Sequence, residues 1–175
     1  MGCSLKAEVK VAVQGKILNP NKEKGHKLNV VLEKYLKAVK FFASFKINDK
    51  DLQQKAYKEA RRRFGMSSTL TQTARDKAVE LVKANEGREF HVHEVSIRVN
   101  YRAFKLVRRD TKLTYWLYLK LDGDGVWYPV QFGETQRQMI VDALSDDSEW
   151  SLQQVELKRD GEWYLFHSRK ALQGF

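Results

Sequence analysis

Ser4-Leu5-Lys6-Ala7-Glu8-Val9-Lys10-Val11-Ala12-Val13-Gln14 is the stretch that decides the fold. Its apolar and polar residues alternate, which predicts a β-strand with one buried face. No second strand pattern follows until about residue 90, and a single strand leaves its backbone hydrogen-bonding groups unpaired. The strand at residues 4–14 must therefore pair with strands from the second half of the chain.

Between residues 19 and 89 the apolar residues follow a helical period, which predicts three helices. The first follows Asn19-Pro20-Asn21 and carries an apolar stripe of Leu28, Val31, Leu32, Tyr35, Val39 and Phe42. The second covers residues 49–63 and ends before Phe64-Gly65. The third has Ser67 or Ser68 as its N-cap and an apolar face of Leu70, Ala74, Ala78, Leu81 and Val82.

Strand patterns return at residue 91. Residues 91–103 alternate throughout, which predicts one long strand with a basic outer face and an inner face of His91, His93, Val95, Ile97, Val99, Tyr101 and Ala103. Asp122-Gly123-Asp124-Gly125 predicts a hairpin between residues 115–121 and 126–132, and residues 158–161 predict a second one. A short helix is predicted at residues 135–144, with Met139, Ile140, Ala143 and Leu144 at helical spacing.

These patterns predict an α+β fold with two parts. An antiparallel β-barrel is built from residues 1–18 and 90–175, and a three-helix subdomain at residues 19–89 is inserted into it.

The composition restricts the class of protein. The chain has 175 residues and a single cysteine, so it has no internal disulfide and no cysteine-based zinc site. Its apolar runs fall far short of the roughly 20 residues of a membrane span, so no membrane partner is predicted. Met1-Gly2-Cys3 is followed by Lys6 where a myristoylation motif has Ser or Thr. A soluble intracellular protein is expected.

The net charge of +10 is unevenly distributed. Residues 1–63 contain 16 Lys or Arg against 6 Asp or Glu, residues 64–109 contain 9 against 5, and residues 110–175 contain 7 against 11. The positive excess therefore lies in the first 109 residues, which favours a surface for a polyanion over a charge that only provides solubility.

Residues suited to catalysis are scarce. His91 and His93 share a strand face. Histidines in this arrangement are more often partly buried structural residues than metal ligands. The Asp122 segment is a turn without the later ligands of a calcium loop, and a solvated turn explains Asp142, Asp146 and Asp147 better than a metal cluster. The residues therefore favour a binding module.

Nucleic acid is the polyanion that the spacing of the basic residues favours. The helices carry cations at intervals of three or four residues, namely Lys34, Lys37, Lys40, Lys55, Lys58, Arg61, Arg62, Arg63, Arg75 and Lys77. Arg98, Asn100, Arg102 and Lys105 would project from the long strand, and Ser68, Thr69 and Gln72 at a helix start can reach phosphates and base edges. The simpler alternative is a set of solvated helix faces and a charged sheet edge.

Four stretches, in order along the chain, resemble the N-terminal half of TnpB-type (OrfB) transposon-encoded proteins, relatives of type V CRISPR effectors. They begin at Leu32-Glu33-Lys34-Tyr35, at Ser67-Ser68-Thr69-Leu70-Thr71-Gln72, at Asn100-Tyr101-Arg102-Ala103 and at Lys158-Arg159-Asp160-Gly161-Glu162-Trp163-Tyr164-Leu165. At position 66, where family members often have proline, this chain has Met66.

The resemblance implies a wedge-like barrel with a recognition-like helical lobe, and two partners: a guide RNA derived from a transposon end, and target double-stranded DNA. It assigns Ser68, Thr69 and Gln72 to the adjacent motif of the target. It places Tyr57, Arg61 and Arg62 near a duplex backbone, and Arg98, Asn100, Arg102 and Lys105 near the guide RNA.

The resemblance also bears on catalysis. Family nucleases continue into a RuvC-like domain with metal-binding carboxylates, and its motifs are not found in these 175 residues. We therefore expect this chain not to be an enzyme and to hold no cofactor, since Mg would belong to the nuclease domain. A cytoplasmic location, at the nucleoid when DNA is bound, is expected. The alternatives are a freestanding basic adaptor or inhibitor of an acidic protein and a hydrolase that uses Asp142 or Asp146.

Overall fold

The computed structural model describes residues 8–18, 21–45, 50–86, 88–111, 114–148, 150–160 and 162–172. The predicted start of the first strand, at residues 4–7, lies outside them. In chain order the elements are β1 (Glu8–Ile17), α1 (Lys22–Ala43), α2 (Lys50–Phe64), α3 (Ser68–Ala84), β2 (Ile97–Asn100), β3 (Phe104–Arg108), β4 (Tyr115–Leu119), β5 (Val126–Phe132), α4 (Glu134–Leu144), β6 (Trp150–Asp160) and β7 (Glu162–Leu172).

The seven strands form one antiparallel sheet in the order β2-β6-β7-β1-β5-β4-β3. The first strand, β1, lies inside this sheet, where it pairs with β7 along Glu8 to Lys16 and with β5 at Gly15 to Ile17. The prediction that the first strand pairs only with late strands is therefore confirmed.

The sheet is curled into a half-barrel. Its two edge strands, β2 and β3, are consecutive in the chain and are joined by residues 101–103 alone. Such a short connection spans at most about 14 Å, so the two edges must lie close together. The backbone N–H of Lys120 in turn donates to the carbonyl of Ala103 at 2.8 Å and holds this connection against the end of β4. The predicted α+β class is confirmed.

Local signals fix the ends of the helices. The Asn21 side chain accepts a hydrogen bond from the Lys24 N–H at 2.9 Å and begins α1. Gly65, at φ 61°, ends α2 in the left-handed region that glycine adopts without strain. The Ser67 hydroxyl caps α3 at the Leu70 N–H (3.3 Å) and also donates to the carbonyl of Leu121 (3.1 Å), so α3 begins on the β4–β5 turn.

The predicted long strand at residues 91–103 is wrong. Only Ile97–Asn100 pairs with β6, while residues 88–96 form no strand. The Ser96 carbonyl accepts a hydrogen bond from Lys77 of α3, so this part of the chain is held by a helix. His91, His93 and Tyr101, predicted on the inner face, are exposed. Met139 of α4, predicted on an apolar face, is exposed as well.

A buried polar contact joins the helices to the sheet. The Tyr35 hydroxyl of α1 donates to Thr73 of α3 at 3.3 Å, and the Thr73 hydroxyl lies 2.8 Å from the Arg98 carbonyl of β2. Burial raises the pKa of Tyr35 to about 12, so its hydroxyl stays protonated and can donate. The three elements therefore share one core.

Gly15 is the point of closest packing inside the sheet. A Cβ at this position would lie 2.6 Å from Cε1 and 2.8 Å from Cδ1 of Phe132, whose ring is buried. We expect Gly15→Ala to lower the free energy of unfolding by about 1–3 kcal/mol, because the added methyl group overlaps the Phe132 ring and one of the two must shift. Urea unfolding measures this change. Gly133→Ala is the control, since its Cβ meets only Gln136 Oε1 at 3.4 Å, and an equal loss in both variants would contradict the prediction.

Candidate nucleic-acid interface

An ion-pair cluster lies where α3 crosses β2 and β6. We call it the junction cluster and define it by Lys77, Glu80, Ser96, Arg98 and Glu156. The Glu156 carboxylate accepts from Arg98 Nε at 3.0 Å and from Ser96 Oγ at 2.7 Å, and it lies 3.3 Å from Lys77 Nζ. The Arg98 guanidinium also donates two hydrogen bonds to Glu80, at 2.7 and 2.8 Å. The cluster therefore links two strands to the third helix.

The pKa values in the junction cluster reflect this pairing. Burial alone would raise the pKa of Glu156, but the Ser96 hydrogen bond and the charges of Lys77 and Arg98 outweigh it and the pKa is lowered. Hydrogen bonds from Arg98 lower the pKa of Glu80, and burial lowers that of Lys77. Both carboxylates are therefore ionised at neutral pH.

This pairing changes the role of two predicted cations. Arg98 was predicted on the outer face of a strand, but its side chain is only 17% exposed and contacts two carboxylates. The Lys77 side chain is 13% exposed and pairs with the Glu156 carboxylate. Their charges orient α3 on the sheet and are neutralised within the protein.

A second group of side chains lies where α2 meets α3. We call it the α2–α3 face and define it by Tyr57, Arg61, Ser68, Gln72 and Arg75. The Tyr57 hydroxyl donates to the Ser68 carbonyl at 3.3 Å, and the Arg75 guanidinium carbon lies 5.9 Å from the Tyr57 ring centroid. Residues 68, 72 and 75 share one side of α3 by helical spacing. The structure therefore brings together residues that the sequence assigned to two separate roles.

Exposed side chains on this face are available for a ligand. Arg61, Ser68 and Gln72 are exposed, Thr69 is half-buried beside them, and Arg75 also contacts Asp76 at 3.3 Å. Ser67, not Ser68, is the N-cap of α3, so the Ser68 hydroxyl is not used in capping.

The remaining predicted cations divide into paired and unpaired ones. Lys34 contacts Asp122 at 2.7 Å, Arg62 contacts Glu59 at 2.8 Å, and the Arg63 guanidinium lies over the rings of Phe41 and Phe64. Within the described part of the chain, five of the predicted helix cations are exposed and contact neither a carboxylate nor an aromatic ring: Lys37, Lys40, Lys55, Lys58 and Arg61.

The connection between the two edge strands carries the other predicted contacts. Asn100 is half-buried and its side chain accepts from the Arg102 N–H at 3.1 Å. Arg102 is exposed and lies against the Tyr101 ring, 5.5 Å from its centroid, and Lys105 is exposed on β3. Tyr101, which was predicted on the inner face, is 56% exposed and places an aromatic ring beside the Arg102 cation.

An aromatic group on the outer side of the sheet was not predicted from the sequence. Trp116 and Tyr118 of β4 and Trp127 of β5 are half-buried, and Arg109 lies over two of these rings. The alternation within residues 115–119 and 126–130 could have predicted this group. It places these aromatic residues on the other side of the sheet from the buried Leu117 and Tyr128.

Other candidate sites are not supported by the geometry. The rings of His91 and His93 are 6.1 Å apart and exposed, and no group of three metal-ligating residues occurs among the described residues. Asp142, Asp146 and Asp147 are exposed at the end of α4. Within the described ranges, no helix combines the length and the apolar character that crossing a membrane requires.

No protein-family model and no curated protein matches this chain. Among solved structures, it is similar to a protein in the "Cryo-EM structure of the Cas12f1-sgRNA-target DNA complex", with a TM-score of 0.52 and 9% sequence identity. The match covers 87% of this chain and 43% of that chain, so this chain spans less than half the length of its structural relative. At such low identity the similarity shows the fold alone: helices and curled sheet are arranged as in a large part of that protein.

Proposed function

We propose that this chain is the nucleic-acid-recognition part of an RNA-guided protein. The observation that carries the proposal is the exposed, unpaired positive charge of α2 beside the α2–α3 face, where Lys55, Lys58 and Arg61 have no carboxylate partner among the described residues. Unpaired cations at helical spacing can follow a phosphate backbone. The shared fold supports this proposal, because the structurally similar protein is in complex with an sgRNA and target DNA.

The finer proposal is a TnpB-like protein. Its partners are a guide RNA derived from a transposon end and target double-stranded DNA, whose adjacent motif contacts Ser68, Thr69 and Gln72. Arg102, Asn100 and Lys105 contact the guide RNA. Cleavage, and the Mg that cleavage requires, belong to a nuclease domain outside this chain, so this chain binds without cutting.

Binding to structured RNA tests the proposal. We expect gel-shift titrations with a folded hairpin RNA and with a DNA duplex to give submicromolar affinity at low salt. The logarithm of the affinity should fall linearly with that of the salt concentration, by about 0.9 per phosphate contact. If the protein binds neither the RNA nor the DNA at low salt, the proposed function is wrong. Nuclease-resistant capture of an acidic protein would instead favour the adaptor.

A further inference from the structure

The outer side of β3, β4 and β5 carries aromatic side chains that the proposed function has not used; of the residues beside them, only Lys105 has already been assigned to RNA. We call it the aromatic platform and define it by Lys105, Arg109, Trp116, Tyr118 and Trp127. Strand pairing places Lys105, Tyr118 and Trp127 side by side across the three strands. Trp116 lies in the next row on the same side, because residues two apart on a strand point the same way.

These rings do not belong to the core. The inward positions of the same strands are the buried residues Leu106, Leu117 and Tyr128, so the platform residues point to the opposite side of the sheet. The Tyr118 and Trp127 rings contact each other, with centroids 5.1 Å apart at 52°. Gly125 makes room for this arrangement, because a Cβ there would overlap the Tyr118 ring.

Arg109 gives the platform its charge. The Arg109 backbone N–H donates to the Thr114 carbonyl at 2.7 Å, which fixes the residue at the end of β3. Its guanidinium carbon lies 4.5 Å from the Trp127 ring centroid and 5.6 Å from that of Trp116. The residue is exposed, and no carboxylate among the described residues pairs with it. Two cations, Arg109 and Lys105, therefore flank a group of aromatic rings.

We propose that the aromatic platform binds an unpaired nucleobase. A base offers the planar ring that stacks on Trp127, Tyr118 or the Arg109 guanidinium, and its phosphate offers the negative charge that Lys105 and Arg109 complement. A base inside a duplex is stacked on both faces and cannot reach such a surface. The ligand is therefore a single-stranded nucleotide, in RNA or in DNA, and the inference rests on the proposed nucleic-acid-binding function.

Anisotropy titrations of labelled single strands of uridine or thymidine, about 12 nucleotides long, test this inference beside a blunt-ended RNA duplex, which has no unpaired base. We expect Trp127→Leu to weaken single-strand binding about ten-fold, whereas Trp127→Phe, which keeps a stacking ring, weakens it far less. Arg109→Gln should lower the salt slope of single-strand binding by about 1. Duplex binding should stay unchanged in every variant. Thermal unfolding checks that each variant folds.

Arg88→Gln is the matched control, because Arg88 is exposed, pairs with Glu86 and is not part of the platform. If Trp127→Leu and Arg109→Gln weaken single-strand binding no more than Arg88→Gln, while the parent protein still binds the duplex, the platform inference is wrong and the proposed function stands. If the parent protein binds neither nucleic acid, the proposed function itself is wrong. Equal losses with uridine and thymidine would identify base stacking, and a loss with uridine alone would identify RNA as the ligand. A platform that binds polyglutamate but no single strand would overturn the inference.

Discussion

Glu156→Ala is expected to lower the free energy of unfolding by about 2–3 kcal/mol. Glu156 is the carboxylate that Lys77, Ser96 and Arg98 share, and its removal leaves Lys77, at 13% exposure, without the carboxylate that contacts it directly. Breaking a fully buried ion pair costs about 3–5 kcal/mol, and the expected loss is smaller because Glu156 remains 25% exposed. Urea unfolding followed by circular dichroism measures this loss.

Glu94→Ala is the matched control, since Glu94 is exposed and lies outside the junction cluster. Glu156→Gln should fall between the two, because an amide oxygen still accepts hydrogen bonds from Ser96 and Arg98 but carries no charge. Equal unfolding midpoints for Glu156→Ala and Glu94→Ala would show that the junction cluster does not hold the helices on the sheet.

The junction cluster also makes the stability of the protein depend on pH in the acidic range. The pKa values of Glu156 and Glu80 are lowered in the folded protein, so both groups contribute stability that is present above their unfolded pKa of about 4.3. This contribution is lost as the pH falls through the lower, folded values. We expect the parent protein to lose more stability than Glu156→Ala between about pH 5 and pH 3. Thermal midpoints across that range measure the difference, and parallel curves would contradict it.

Loss of nucleic-acid binding is the second large effect that we expect. Replacing Lys58, Arg61 and Arg75 together with glutamine removes three cations from α2 and α3 while all three helices keep their apolar contacts. If each cation contacts a phosphate, the salt slope falls by about 3 and the affinity for structured RNA at low salt falls by at least about ten-fold. Filter binding at several salt concentrations measures both quantities.

A double change at the β6–β7 hairpin serves as the control. Lys158→Gln with Arg159→Gln removes two exposed cations from β6, where the Arg159 guanidinium donates to the Asn29 side chain at 2.7 Å. We expect this variant to bind RNA nearly as the parent protein does. If both variants weaken binding equally per charge removed, positive charge anywhere on the protein suffices and the α2–α3 face has no special role.

Local patterns in the sequence were enough to predict most of the helices and the pairing of the first strand. A strand at the N-terminus with no neighbour until residue 90 predicted that β1 pairs with late strands, and the structure places it between β7 and β5. Helix boundaries followed from Asn21, Ser67 and Gly65, because caps and left-handed glycines act within a few residues.

The same reasoning failed where a pattern continued across a change of structure. Residues 91–103 alternate without interruption, but the chain turns between Asn100 and Phe104 and pairs on either side with different strands. Period-two alternation records which side of an extended chain is apolar, and it does not record whether a partner strand is present.

The helices and most strands were determined by the sequence alone, with residues 91–103 as the exception, together with the excess of positive charge in the first 109 residues. Only the tertiary structure decided which charges remain available. Arg98 is neutralised because β6 and α3 bring Glu156 and Glu80 to it from 58 and 18 residues away, whereas Arg61 has no carboxylate partner among the described residues. The aromatic platform depends on the register of three strands in the same way. Pairing between distant segments is a property of the folded chain, so no local pattern could have separated a structural arginine from one that is free to bind a phosphate.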